Sequence, residues 1–194
     1  MFTGIVAAVG NIVSISPLAA GRKLAIDAGT LGLDDVGIGD SIAVSGCCLT
    51  VVGIEDNRFF VDVSKESLAC TAGLDAAGPV NLEKALRLAD RIGGHLVTGH
   101  VDGVGAVVRF DAAGESFELE VSAPEALAKY IAAKGSITVC GVSLTVNCVA
   151  GNRFTVNLIP HTLEVTTLKH LEPGSKVNLE IDLIARYVER MLGS

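Results

Sequence analysis

Short apolar segments with alternating polarity recur along most of the chain. The segments "DSIAVSG", "CLTVVGI" and "RFFVDVS" are rich in β-branched residues, with Gly, Asp or Asn near their ends. Alternation with a period of two is typical of strands that bury one face. The tripeptide "EDN" between the second and third segments indicates a turn. Together with 22 glycines, this pattern predicts an all-β protein with many tight turns, such as a barrel.

Two other stretches have a helical pattern. "APEALAKYIAAKG" has Pro124 and Glu125 at its start and Gly135 at its end, which is the usual polarity of helix signals. The C-terminal "DLIARYVERML" has a wide apolar stripe, made of Leu183, Ile184, Tyr187, Val188, Met191 and Leu192. This stripe needs a surface to pack against. We favour another subunit, and the protein's own barrel is the alternative.

The chain consists of two copies of one unit. At an offset of 95 residues, segment 41–71 aligns with segment 136–166 without a gap, and "VNLE" at Val80 recurs at Val177. Two copies are too few for a solenoid, so we expect two small domains of one fold. The predicted division is residues 1–93, residues 94–180 and a C-terminal helix over residues 181–194.

Composition narrows the classes of function. The net charge is −7 and Lys and Arg do not cluster, which disfavours nucleic-acid binding. Five cysteines without a Cys-x-x-Cys motif favour a reduced, cytoplasmic protein. The start "MFTGIVAAVG" lacks the basic region of a signal peptide. Since no apolar run approaches the ~20 residues of a membrane span, no membrane partner is expected.

The repeat aligns two pairs of polar residues. Cys48 and Thr50 share one face of a predicted strand, and Ser143 and Thr145 occupy the equivalent positions in the second copy. Each pair could hydrogen-bond a polar ligand. The alternative is that Cys48 is a small core residue and Thr50 an ordinary strand residue.

The histidines do not indicate a metal. His95 and His100 are five residues apart and fall on opposite faces of a strand, so they are poorly placed to share an ion. His100 stands where the first copy has Ile5, which indicates either a functional residue or a surface histidine. Lys65, Glu66 and Lys134 are either ligand groups or a solvated rim.

Several longer motifs carry a resemblance to a known family. "MFTGIV", "GCCLTV", "VNLEKAL", "GGHLVTGHVDG", "KGSITV", "GVSLTVN" and "LIPHTLEVTTL" closely resemble the riboflavin synthases of the α type, which have two lumazine-binding repeats. The resemblance implies two similar six-stranded Greek-key barrels, followed by a helix that holds a homotrimer. It also implies a dismutation without a cofactor, in which two molecules of 6,7-dimethyl-8-ribityllumazine give riboflavin and 5-amino-6-(ribitylamino)uracil.

The same resemblance implies two substrate-binding sets. The first is Phe2, Gly4, Ile5, Val6, Cys48, Leu49, Thr50, Asp62, Val63, Ser64, Lys65, Glu66 and Ser67. The second is Gly99, His100, Val101, Lys134, Ser143, Leu144, Thr145, Asn157, Leu158, Ile159, Pro160, His161 and Thr162. Two similar pockets suit a reaction that needs two identical substrates held in contact.

The residues implied for the chemistry are Cys48, His100, Ser41, Ser143 and Asp182. His100 suits a proton carrier for the lumazine 7-methyl group. Cys48 or Ser41 could add to the other ring, activate water or bind.

The chain departs from the family pattern at two positions. Cys140 stands where the family has Asp, and Ser45 where Asn is common. A carboxylate that could take a proton is therefore missing, and Asp182 is the acid expected to compensate. The alternative function is a non-catalytic binding protein of the same superfamily, similar to the lumazine or flavin antenna proteins of luminous bacteria. The motifs "GHVDG" and "GVSLTV" persist in the second copy and favour the enzyme.

Overall fold

The computed structural model describes residues 1–193 and is mostly antiparallel β-sheet. Twelve strands form two groups of six. The first group is β1 (Ala8–Leu18), β2 (Gly21–Asp27), β3 (Ser41–Val44), β4 (Cys47–Glu55), β5 (Arg58–Ser64) and β6 (Gly78–Lys84). The second is β7 (Gly103–Ala113), β8 (Ser116–Ser122), β9 (Ser136–Val139), β10 (Val142–Ala150), β11 (Arg153–Leu158) and β12 (Lys176–Ile181).

Each group closes into a six-stranded barrel, which confirms the predicted fold class. The N-barrel has the order β1-β2-β5-β4-β3-β6, and the C-barrel has the equivalent order β7-β8-β11-β10-β9-β12. Three hairpin-linked strands followed by a fourth beside the first form a Greek key. Alternate residues fill each interior, as Phe59, Val61 and Val63 do on β5.

Three α-helices accompany the barrels. The helices α1 (Lys65–Cys70) and α2 (Pro160–Val165) follow equivalent strands and were not predicted. The helix α3 (Leu183–Leu192) confirms the C-terminal prediction, and Asp182 caps its start by accepting a hydrogen bond from the Ile184 N–H at 2.9 Å. In the described part of the chain, no helix has the length and apolar character needed to cross a membrane.

The prediction of an α-helix in "APEALAKYIAAKG" is wrong. Only a 3₁₀ segment, Glu125–Tyr130, forms, and Ile131 is already extended with φ −97° and ψ 116°. Lys134 N–H donates to the Val146 carbonyl at 2.7 Å, and Val146 N–H donates to the Gly135 carbonyl at 2.9 Å. These bonds tie the segment to β10, so tertiary pairing overrides the helical preference.

The barrels touch through two equivalent hairpin turns. Ser45 and Gly46 link β3 to β4 with φ 46° and 87°, and Cys140 and Gly141 link β9 to β10 with φ 48° and 79°. Two positive φ values in a two-residue loop are typical of a type I′ turn. A Cβ at Gly46 would lie 2.9 Å from the Gly141 nitrogen. Glycine is therefore required where the two backbones meet.

Two buried asparagines bridge the barrels. Asn81 donates from Nδ2 to the Cys140 carbonyl at 2.9 Å, and its Oδ1 accepts from Thr167 N–H at 2.8 Å. Asn178 is the equivalent residue and donates to the Ser45 carbonyl at 3.0 Å. Because buried amides need partners on both ends, these bonds hold the barrels in one relative position.

Candidate active site

Residues 3–7 and residues 98–102 begin the two repeats, and each of these segments crosses to contact the other barrel. We call them the first and the second crossing segment. Cys48 N–H on β4 donates to the Gly99 carbonyl at 2.7 Å, and Ser143 N–H on β10 donates to the Gly4 carbonyl at 2.7 Å. Gly4 and Gly99 have φ 75° and 80°, and a Cβ at Gly4 would lie 2.6 Å from the Ser143 Cβ. The backbone therefore places Gly4 beside Ser143 and Gly99 beside Cys48, whereas the two sets implied by the resemblance place Gly4 with Cys48 and Gly99 with Ser143.

A buried carboxylate on β6 anchors the first crossing segment. Glu83 Oε1 accepts from Thr3 N–H and from Thr3 Oγ1, each at 2.7 Å, and Oε2 accepts from Gly4 N–H at 3.0 Å. Burial raises the pKa of Glu83, and the bonds from Thr3 and Gly4 oppose that rise. Glu83 thereby fixes the backbone that carries Ile5 and Val6.

Glu180 on β12 repeats this arrangement for the second crossing segment. Its Oε1 accepts from Thr98 N–H and Oγ1, each at 2.7 Å, and its Oε2 accepts from Gly99 N–H at 3.0 Å. Burial raises the pKa of this carboxyl as well. Glu180 thereby fixes the backbone at His100, whose side chain is exposed.

The first candidate site lies on the outside of the N-barrel. Cys48 is half-buried and Thr50 exposed on β4, and Ser41 on β3 is paired with Thr50. Ser64 at the end of β5 caps α1 by accepting from Ser67 N–H at 3.0 Å. The face therefore presents small hydroxyls and a thiol beside the exposed His100.

Ser41 also lines a cavity of about 480 Å³ between the N-barrel and segment 85–90. Its walls carry the ion pairs of Lys84 with Asp35 and of Arg87 with Asp90. The volume falls in the range of small-molecule sites. Ser41 therefore borders a cavity on the outside of the N-barrel.

Phe2 lies behind this face. Its side chain is fully buried and packs in a small cluster with Ala43, Val97 and Cys48. Phe2 N–H also donates to the Val97 carbonyl at 2.8 Å. In this arrangement Phe2 supports Cys48 from behind and presents no surface to a ligand.

The second candidate site lies on the equivalent face of the C-barrel. Ser143 is half-buried and Thr145 exposed on β10, and Ser136 on β9 is paired with Thr145. Lys134 has φ 65° where the first repeat has Gly39 with φ 98°, so both occupy the same turn. The Lys134 side chain is exposed beside this face, as are Asn157, Ile159, Pro160 and His161.

His95 and Ser143 form a hydrogen-bonded pair at this second site. His95 Nδ1 lies 2.7 Å from Ser143 Oγ. Burial lowers the pKa of His95, and the nearby Asp182 carboxylate opposes that shift. His95 Nε2 is buried without a hydrogen-bond partner among the described residues. A hydroxyl beside a neutral imidazole is the arrangement that makes serine a nucleophile or proton relay.

Four residues expected to bind substrate turn their side chains into the barrels. Leu49 and Val63 belong to the N-barrel core, and Leu144 and Leu158 belong to the C-barrel core. Strand alternation requires this, because each residue lies next to an outward-facing polar neighbour. These four residues offer only their backbone to a ligand. Ile5, by contrast, is 49% exposed.

Residues 3–85 and 98–182 match the family model of the lumazine binding domain. The chain is 46% identical over 194 residues to the riboflavin synthase of Photobacterium phosphoreum, across 99% of this chain and 89% of that protein. It is 41% identical over 194 residues to the riboflavin synthase of Bacillus subtilis, across 99% of this chain and 90% of that protein. The chain belongs to the riboflavin synthase family.

Solved structures of LumP share the fold of this riboflavin synthase family member. The LumP complex with 6,7-dimethyl-8-(1'-D-ribityl) lumazine has a TM-score of 0.83 at 28% identity, across 93% of this chain and 99% of that one. The LumP complex with riboflavin has a TM-score of 0.84 at 29% identity, with the same coverage. LumP therefore holds both kinds of ligand on this two-barrel fold.

Cys140, where the resemblance leads us to expect Asp, lies in the β9–β10 turn. Its N–H donates to the Asn178 carbonyl at 2.8 Å, and its carbonyl accepts from Asn81. Burial raises the pKa of its thiol to about 11. Cys140 and Ser45 have φ 48° and 46°, a conformation that Asp and Asn tolerate better than most other side chains. Cys140 thus has a structural place in the turn between the barrels, and the expected loss of a proton acceptor at this position stays a prediction.

The sequence reasoning missed Glu83, Glu180 and the role of His95 in this riboflavin synthase fold. The recurring "VNLE" was a signal for the glutamates, but an isolated Glu at a strand end is usually solvated. Nothing local shows that either carboxylate faces a segment about 80 residues away. His95 fits no metal site, and no sequence pattern shows that its partner is the Ser143 hydroxyl.

Proposed function

We propose that this chain catalyses the dismutation of two 6,7-dimethyl-8-ribityllumazine molecules to riboflavin and 5-amino-6-(ribitylamino)uracil. The observation that carries the proposal is the pair of equivalent outer faces, one at Cys48 and Thr50 and the other at Ser143 and Thr145. One lumazine binds at each face, so that a four-carbon unit passes from one to the other. The atoms of two substrates equal those of the two products, so the reaction needs no external oxidant or reductant.

The residues divide the work as follows. Outward hydroxyls and exposed strand backbone bind the ribityl chain and the pyrimidine ring. The Ser143 and His95 pair takes or relays the proton of the 7-methyl group, and His100 carries a proton at the N-barrel face. Cys48 and Ser41 bind or activate the group that adds to the second ring, with Asp182 supporting His95.

The active assembly is a homotrimer in which the N-barrel of one subunit faces the C-barrel of its neighbour. In this assembly, a neighbouring chain brings the second lumazine to the first. The exposed apolar side of α3, with Ile184 and Tyr187 67% and 61% exposed, supports this assembly. The five free cysteines support a cytoplasmic location.

The test is incubation of the purified protein with 6,7-dimethyl-8-ribityllumazine alone. Riboflavin and the uracil product should appear in equal amounts, followed by absorbance and chromatography. LumP, which binds the same lumazine on this fold, represents the alternative. Tight binding without turnover would contradict the enzyme and favour an antenna-type binding protein.

A further inference from the structure

Asp102 connects the second crossing segment to the strand β12 and to the helix α3. Its Oδ1 accepts from Arg186 Nη2 on α3 at 2.6 Å, and its Oδ2 accepts from Ile181 N–H at the end of β12 at 2.9 Å. Its own N–H donates to the Leu179 carbonyl at 2.8 Å. The Asp102 side chain is only 11% exposed. Because the Asp102 carboxylate is nearly buried and both of its oxygens accept hydrogen bonds, its position is fixed.

Asp102 ends the crossing segment that carries His100. Glu180 holds the start of this segment at Gly99, and the Gly99 carbonyl accepts from Cys48 of the N-barrel. His100 lies between the two anchors. A continuous set of bonds therefore runs from Arg186 on α3 to the backbone of Cys48 at the N-barrel site.

The first repeat lacks this second anchor. Ala7 stands at the position equivalent to Asp102 and keeps only the backbone bond from its N–H to the Leu82 carbonyl, at 2.9 Å. The first crossing segment is thus held by Glu83 without a counterpart of Arg186. Since the same fold forms around Ala7, the carboxylate at Asp102 is an addition specific to the second repeat.

The same helix has a second tie to the C-barrel. Glu189 pairs with Lys129 and accepts from Tyr130 Oη at 3.2 Å. This tie docks α3 without touching residues 98–102. It provides a matched control for the bond between Arg186 and Asp102.

We propose that Asp102 and Arg186 are positioning residues that couple the location of α3 to the location of His100 at the N-barrel site. The role in catalysis rests on the proposed function, whereas the coupling itself does not. Assembly through α3 then holds His100 in its working position, so that an undocked helix loosens the site of its own chain.

The test compares Arg186→Gln, Asp102→Asn and Glu189→Gln in the full chain by amide hydrogen exchange. Exchange at residues 98–101 should rise about tenfold or more in the first two variants, because a broken anchor lets the segment open locally. Residues 3–6 should not change, since their anchor is Glu83. Glu189→Gln should leave both segments as they are.

The second readout is turnover. Sedimentation first measures the fraction of assembled protein, so that kcat is expressed per assembled active site. Arg186→Gln and Asp102→Asn should lower kcat by about tenfold or more, with a smaller change in KM, because misplaced groups slow the chemical step. A purely structural role would lower the amount of assembled protein and leave kcat per site unchanged.

Two outcomes would overturn the proposal. One is unchanged exchange at residues 98–101 and unchanged kcat in Arg186→Gln. The other is equal exchange changes in Glu189→Gln, which would assign the effect to helix docking in general. If the wild-type protein does not turn over lumazine, the proposed function fails, and the exchange comparison still decides the coupling.

Discussion

Cys48 and Ser143 occupy equivalent positions with different surroundings. Both N–H groups donate to a crossing glycine, but among the described residues only Ser143 has a histidine at hydrogen-bonding distance. Cys48 is backed instead by the buried ring of Phe2. Two identical lumazines therefore meet different side chains, which suits a reaction in which one donates carbon and the other accepts it.

His95→Gln tests the basic partner of Ser143. We expect kcat to fall about 100-fold with little change in KM, because general base catalysis contributes ~10²–10⁴ in rate. In the wild type, kcat should fall as pH drops through a pKa below the ordinary 6.5 of His95, and the variant should lack this limb.

Protonation of His95 favours the unfolded chain, so stability should also fall below about pH 6.5. Steady-state kinetics and denaturant unfolding across pH measure both effects.

The exposed His170 provides the control for this prediction. His170→Gln should keep the wild-type pH profile. A His95→Gln variant with wild-type kcat would show that Ser143 works without a base.

Glu83→Gln and Glu180→Gln test the anchors of the crossing segments. Each replaces a carboxylate oxygen with an NH₂ that faces an N–H donor of Gly4 or Gly99. We expect a loss of about 1–3 kcal/mol of unfolding free energy. Glu180→Gln should weaken ligand binding at the N-barrel face, and Glu83→Gln at the C-barrel face, in fluorescence titrations with riboflavin. Equal effects of both variants at one face would contradict the crossed arrangement.

At the scale of elements, the hairpin turns decide how the barrels meet. The β3–β4 turn and the β9–β10 turn approach each other so closely that Gly46 and Gly141 have no room for a Cβ. The neighbouring asparagines, Asn81 and Asn178, reach across the same contact. These contacts fix the position of the outer face of one barrel relative to that of the other.

Gly46→Ala tests this contact. Positive φ alone costs a non-glycine residue about 1–2 kcal/mol. The clash with Gly141 should bring the total loss to about 3 kcal/mol or more, because the backbone must shift. Gly151→Ala is the control, since Gly151 has φ 61° and open space around it. Thermal and denaturant unfolding should separate the two variants, and equal losses would mean that the barrels tolerate separation at this turn.

At the scale of the whole molecule, α3 turns its two sides to different surroundings. Its polar side binds the C-barrel through Arg186 and Glu189, while Ile184, Tyr187 and Leu192 stay exposed. Most of the apolar stripe is thus not covered by the chain's own barrel, and its contact with another subunit stays a proposal. The division of the chain at residues 93 and 180 stays a prediction, and the crossing of Gly4 to the C-barrel shows that the two repeats are interleaved.

Ile184→Glu tests assembly. A charge in the centre of a buried apolar contact costs several kcal/mol, so the variant should sediment as a monomer and lose turnover. Arg190→Gln, on the polar side of α3, should assemble as the wild type does. Sedimentation velocity and lumazine turnover measure both properties. A trimeric, active Ile184→Glu variant would place the subunit contact elsewhere.

Alternating polarity and the 95-residue repeat were enough to predict two similar β-barrels. The alternation of apolar and polar residues along a strand shows which side chains face inward and which face outward. The outward residues Cys48, Thr50, Ser143 and Thr145 followed from the same periodicity. Only the tertiary structure decided which crossing segment lies beside which face, that Cys140 belongs to a turn, and that Glu83, Glu180 and His95 have polar partners. These facts depend on bonds between residues up to 139 positions apart, such as Ser143 and Gly4, and no local pattern specifies the partner of a single polar side chain.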